Sequence, residues 1–154
     1  MADLLTHYVS ARVAGARIRD RAVAVLVPVG VCVPDLLGKP LGALPGLPDL
    51  VEVPSHTPLG MLLFCFALSL LFAPAIRARA FGALTGGALL HLLLDSMKDY
   101  LGSGAIFPLH PFSLAAFEMG LYRSEDVYYL LPANVAILAI LWASSRRRPA
   151  PAFP

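Results

Sequence analysis

Thr57–Ile76, read as TPLGMLLFCFALSLLFAPAI, runs for 20 residues without a charge. A helix needs roughly 20 predominantly apolar residues to cross a hydrocarbon core of about 30 Å, so this stretch reads as a membrane span. Val127–Ser145, VYYLLPANVAILAILWASS, is uncharged for 19 residues and reads the same way. Two shorter apolar stretches flank the first: Ala22–Pro34, closed by Arg21 and Asp35, and Ala80–Leu94, interrupted by His91 and closed by Asp95. They suit a membrane only where their polar ends face a protein-lined, hydrated recess. Ala2–Ile18 carries Asp3, His7, Arg12 and Arg17 and is expected to be a helix leaning on the others. The expected fold class is all-α, an integral membrane bundle of about five helices with four to five membrane-embedded.

Composition points the same way. Of 154 residues, 58% are hydrophobic and only 14% charged, and mean hydropathy is +0.72. A soluble domain carries roughly a quarter charged residues, so the composition argues against an ordinary cytosolic fold and against a disordered chain. A net charge of +2 spread over scattered arginines does not make a nucleic-acid surface. Cys32 and Cys65 sit inside apolar runs without a Cys-x-x-Cys pair, so neither a disulfide framework nor a thiolate zinc site is implied. The N-terminus lacks the basic region of a secretory signal, and the first helix is expected to remain in the mature protein.

Six of the 14 prolines fall between Pro34 and Pro58, with Gly38, Gly42 and Gly46, which predicts an irregular loop there. A second loop is expected over Leu101–Asp126. Residues 1–145 are then one helical domain, and 146–154, beginning with three arginines, a disordered cytoplasmic tail. In a five-helix arrangement nine basic residues (Arg12, Arg17, Arg19, Arg21, Arg77, Arg79, Arg146, Arg147, Arg148) fall on one side, and Lys39, Lys98 and Arg123 on the other. The positive-inside rule places the arginine-rich side in the cytoplasm, and both Pro/Gly loops face outward. Tyr122, Tyr128, Tyr129 and Trp142 are expected as interfacial anchors of the last helix.

That orientation gathers the chemistry-bearing residues. His7, Asp35, His56, His91, Asp95 and His110 all fall toward the outer side, although their positions were not used to derive it. The sharpest signal is His91-x-x-x-Asp95, because residues four apart on a helix share a face and can close on one ion. Gly82 and Gly86 form a small-x-x-x-small pair expected to let a neighbouring helix approach. Taken singly these features have plainer readings. A His-x-x-x-Asp pair on an apolar helix is more often a hydrogen-bonded couple than a metal site, Asp35 can end a helix, and His56 can be interfacial. Together they point to a divalent cation, with zinc suiting the nitrogen and oxygen donors best and manganese the alternative.

The ordered set Thr6-His7, Val33-Pro34-Asp35-Leu36-Leu37, Ser55-His56-Thr57, His91-x-x-x-Asp95 and Phe107-Pro108-Leu109-His110-Pro111-Phe112-Ser113 resembles a family of small bacterial inner-membrane proteins. These are the LexA-regulated, membrane-bound metal-dependent hydrolases. The order of ligands is also similar to the metal core of zinc-dependent phospholipases C. The resemblance covers Thr6 to Ser113. It implies that His7, His56, His91 and Asp95 are metal ligands and that Asp35 is a ligand or the base acting on the attacking water. The chain departs from the family pattern at Leu37, where a second aspartate is common, and at Val53-Pro54-Ser55, where a further histidine is common. His110 stands in place of a usual tryptophan and is the candidate replacement ligand.

The activity implied is hydrolysis of a phosphoester in a phospholipid or other amphiphilic lipid phosphate, by a multi-pass inner-membrane protein whose site faces the periplasmic side. Membrane lipids are the expected partners. The alternative is a metal-binding membrane module or accessory subunit without turnover, favoured by the departures. An ion carrier fits less well, since carriers place polar residues near mid-membrane on broken helices.

Overall fold

The computed structural model describes residues 4–16, 18, 20–42, 54–99 and 106–146. The chain is mostly helical: α1 is Leu4–Gly15, α2 Arg21–Gly42, α3 Pro58–Ser69, α4 Pro74–Ser96 and α5 Val127–Arg146. Two short strands, β1 (Lys98–Asp99), just before the second expected loop, and β2 (Tyr122–Arg123), near its end, pair in parallel. The expected tail beyond Arg146 and most of the first Pro/Gly loop, 43–53, lie outside the described residues.

Proline placement explains where the helices differ from their apolar runs. The 20-residue stretch Thr57–Ile76 is not one helix. Thr57 caps α3, accepting the Gly60 amide on its Oγ1 at 3.1 Å, with Pro58 at the first helical position. Twelve residues later α3 stops, because Pro74 forces Ala73 into an extended conformation (φ −55°, ψ 143°). Pro74 then opens α4. Conversely, α2 runs on through Pro34 to Gly42, where a loop was expected. Its packing against α4, the most extensive helix pair among the described residues, outweighs the helix-breaking preference of its prolines.

That pairing is a backbone contact. A Cβ on Gly30 would overlap the Leu84 carbonyl, and one on Gly87 would overlap the Val27 carbonyl. The close approach expected at Gly82 and Gly86 is therefore made elsewhere; a Cβ at either would meet nothing within 4 Å. Around the Gly30–Gly87 crossing, Val27, Val31, Ala83 and Ala11 form one apolar cluster, and Met61, Cys65, Leu84, Ala88 and Leu92 form a second. Cys32 and Cys65 are free thiols.

Beside this apolar core, several polar groups are buried and many large apolar side chains are exposed. His7, Asp35, Ser55, Thr57, His91, Asp95, Lys98 and Asn134 are buried, whereas Val25, Leu36, Leu63, Phe66, Leu71, Phe112, Tyr128, Tyr129, Ile140 and Trp142 are exposed. Tyr122 differs from its expected anchoring role: its hydroxyl donates to the Leu94 carbonyl at 3.3 Å, fastening the second loop to α4. Among the described residues no helix is both long and apolar enough to cross a membrane. The twelve residues of α3 extend only about 18 Å at 1.5 Å per residue, and α4 is interrupted by Arg77, Arg79, His91 and Asp95.

Candidate metal centre

One ion pair marks the end of the bundle opposite the site. Arg79 Nη1 lies 2.7 Å from Asp20 Oδ2, joining the N-terminal ends of α2 and α4. Both helices leave that side together. Asp35 comes 14 residues after Arg21 and His91 12 residues after Arg79, about 21 and 18 Å farther along. Helix α1 ends near Asp20, so His7, in its first turn, stands at the far end as well. Asn134 on α5 donates to Thr6 Oγ1 at 2.7 Å, which ties down the turn that carries His7.

Five of the six expected ligands meet there in two groups that share His91. His7, His91 and Asp95 form one; Asp35, His56 and His91 form the other; within each group the ligating atoms all lie within 4.8 Å of one another. His7 Nε2 is 3.2 Å from Asp95 Oδ1, and His91 Nε2 is 3.1 Å from Asp95 Oδ2. The His7 and His91 rings are 4.3 Å apart between centroids, and those of His56 and His91 5.5 Å. Ligands about a cation at 2.0–2.2 Å in tetrahedral array sit about 3.3–3.6 Å from one another, so these separations are close to those of a coordination shell.

His91 is the centre of the arrangement. It is 0% exposed, and neither ring nitrogen has a hydrogen-bond partner among the described residues. Its Nε2 faces Asp95 Oδ2 at 3.1 Å. A buried imidazole with two unsatisfied nitrogens is costly unless something else takes a lone pair. A cation satisfies that need, and the donor set suits one.

His56 is positioned from behind. Ser55 Oγ is 2.9 Å from His56 Nδ1, leaving Nε2 to face Asp35 Oδ1 at 3.7 Å. Gly38 on α2 makes the room, since a Cβ there would come within 2.6 Å of Ser55 Oγ. The His56 side chain is 23% exposed while those of His7, His91, Asp35 and Asp95 are at most 8% exposed, so His56 is the most exposed of the five.

His110 differs from the expectation. It is half-buried in the turn over residues 107–112 and joins neither ligand group among the described residues. Two residues of the site were not anticipated. Ser55 was read only as a neighbour of His56. Lys98, counted as an outer-loop charge, is 1% exposed, and its Nζ donates to Asp95 Oδ1 at 2.7 Å. The signal for it was available: Lys98 extends the His91, Asp95 face by three residues.

Comparison with protein-family models, curated proteins and solved structures returned no match. The chemistry of the site therefore stands on its own residues.

Proposed function

We propose that this chain is a membrane-bound, metal-dependent hydrolase that cleaves a phosphoester of a phospholipid or another lipid phosphate. The observation that carries the reading is His91, buried, with both nitrogens unsatisfied, at the junction of two ligand groups. Residence in a lipid environment is supported by the large apolar side chains exposed on the exterior and the polar groups buried inside. The ordered motifs that resemble the LexA-regulated hydrolases add a bacterial inner membrane, with the site toward the periplasm and the C-terminus in the cytoplasm.

His7, His56, His91 and Asp95 would hold a divalent ion, zinc by its donor set or else manganese, with Asp35 beside them. Such an ion supplies two things when bound, an acidified water with a pKa near 7 and polarisation of a phosphoryl oxygen. Asp35, held 3.7 Å from His56, is placed to take the proton of the attacking water. The water oxygen bonds to phosphorus, the ester oxygen leaves, and the proton passes from Asp35 to that leaving oxygen. Because His56 is the most exposed of the five, the headgroup enters on its side while its tails stay on the apolar exterior.

A second reading, a metal-binding module without turnover, is favoured by Leu37 standing where the resemblance commonly has a second aspartate, by Val53-Pro54-Ser55 standing where it commonly has a further histidine, and by His110 lying outside both groups among the described residues. Purified protein incubated with labelled phospholipids, with and without chelator, separates the two. Metal-dependent release of a phosphorylated or dephosphorylated product is expected. No metal-dependent product from any lipid leaves the binding module.

A further inference from the structure

Lys98 is a buried ammonium on β1. Its one hydrogen bond goes to Asp95 Oδ1 at 2.7 Å, and its other two N–H donors have no partner among the described residues. It is held in place rather than free to swing out. Lys98 is in register with Tyr122, and the flanking amides of Met119 and Leu121 bond the carbonyls of Ser96 at 2.6 Å and Met97 at 2.8 Å. Unsatisfied donors on a buried cation are expensive, and a cation already adjacent to a metal-ligating carboxylate opposes the binding of a second one unless an anion lies between them.

The formal charges say which anion. Among the described residues Asp35 and Asp95 carry two negative charges and Lys98 one positive, so with neutral imidazoles and one divalent cation the described cluster is left at plus one. We infer that Lys98 receives a non-bridging oxygen of the substrate, and that the loaded site selects a singly charged phosphodiester. This inference rests on the metal-dependent reading above and narrows its substrate class. A doubly charged phosphomonoester leaves one negative charge uncompensated in a buried site, and a neutral triester leaves the positive one, both unfavourable where solvent is largely excluded.

The test uses the full chain in detergent, loaded with zinc, and calorimetric titration with dimethyl phosphate, methyl phosphate and trimethyl phosphate, beside the same titrations of Lys98→Met and Lys98→Arg. Wild type should bind dimethyl phosphate at least roughly tenfold more tightly than either other probe. Lys98→Met should bind zinc as well as wild type or more tightly, having lost a competing cation, while its dimethyl phosphate affinity falls roughly tenfold to a hundredfold, the worth of a charge-assisted hydrogen bond. Lys98→Arg should recover part of that loss. Loss of zinc in Lys98→Met would show that the lysine only holds Asp95 in place and overturns the inference. So does unchanged diester affinity in that variant, or equal binding of all three probes by wild type. Failure of wild type to bind zinc overturns the metal reading itself and this inference with it.

Discussion

Replacing Asp95 with alanine tests how the cluster balances its charge without any ligand present. Asp95 is the one carboxylate that faces His7 at 3.2 Å, His91 at 3.1 Å and Lys98 at 2.7 Å. Its removal strands the Lys98 ammonium, which is 1% exposed and has no second acceptor among the described residues. Breaking a buried pair by deleting one partner costs about 3–5 kcal/mol, because the remaining charge stays desolvated. Asp95→Ala should therefore lose about that much stability. The double variant Asp95→Ala/Lys98→Met removes the stranded charge and should return to within about 1–2 kcal/mol of wild type, so the two substitutions are strongly non-additive. The assay is denaturant unfolding in detergent, followed by far-UV circular dichroism, in chelator so that no cation contributes. A loss below about 1 kcal/mol in Asp95→Ala, or a double variant no more stable than the single one, refutes the reasoning.

Four further outcomes follow from the same geometry. Gly87→Ala and Gly30→Ala push a Cβ into a facing backbone and should each cost about 1–3 kcal/mol or more, whereas Gly82→Ala and Gly86→Ala meet open space and should stabilise by up to about 1 kcal/mol through helix propensity; thermal melts of the four variants decide this. Gly38→Ala, crowding Ser55 Oγ, and Ser55→Ala, deleting the 2.9 Å contact to His56 Nδ1, should both weaken zinc binding by about tenfold to a hundredfold, read by competition with a chromogenic chelator. Thr57→Ala removes the cap of α3 and should cost about 1 kcal/mol without changing metal content. Stripping the metal from protein held at a free zinc concentration of about 100 times Kd should lower stability by about 2.7 kcal/mol, measured as the difference between unfolding curves with and without chelator.

Much of the site was legible because its geometry is local or helical. His91 and Asp95 share a helix face by spacing alone, and counting arginines by loop placed His7, Asp35 and His56 on the same side as that pair. Helix existence was legible from apolar runs, but boundaries were not. Thr57–Ile76 is uniformly apolar, and only the constraint of Pro74 on Ala73 divides it. The prolines of α2 gave the opposite error, since packing against α4 keeps it helical where local preference says loop. The crossing at Gly30 and Gly87, instead of at Gly82 and Gly86, depends on how two helices are rotated against each other, which spacing within one helix does not contain. Lys98 was counted only as an outer-side charge, and its contact with Asp95 three residues earlier depends on side-chain placement that a count by loop does not contain. His110 was grouped by side of the bundle alone, which is too coarse to place a loop residue within coordination distance.

Elemental analysis of purified wild type beside His91→Ala tests the central claim most directly, with far-UV circular dichroism confirming that both are helical. His91 belongs to both groups of ligating atoms, so wild type should carry stoichiometric zinc or manganese and the variant essentially none. A wild type devoid of divalent metal after loading, or a folded His91→Ala that keeps the full complement, would contradict the account.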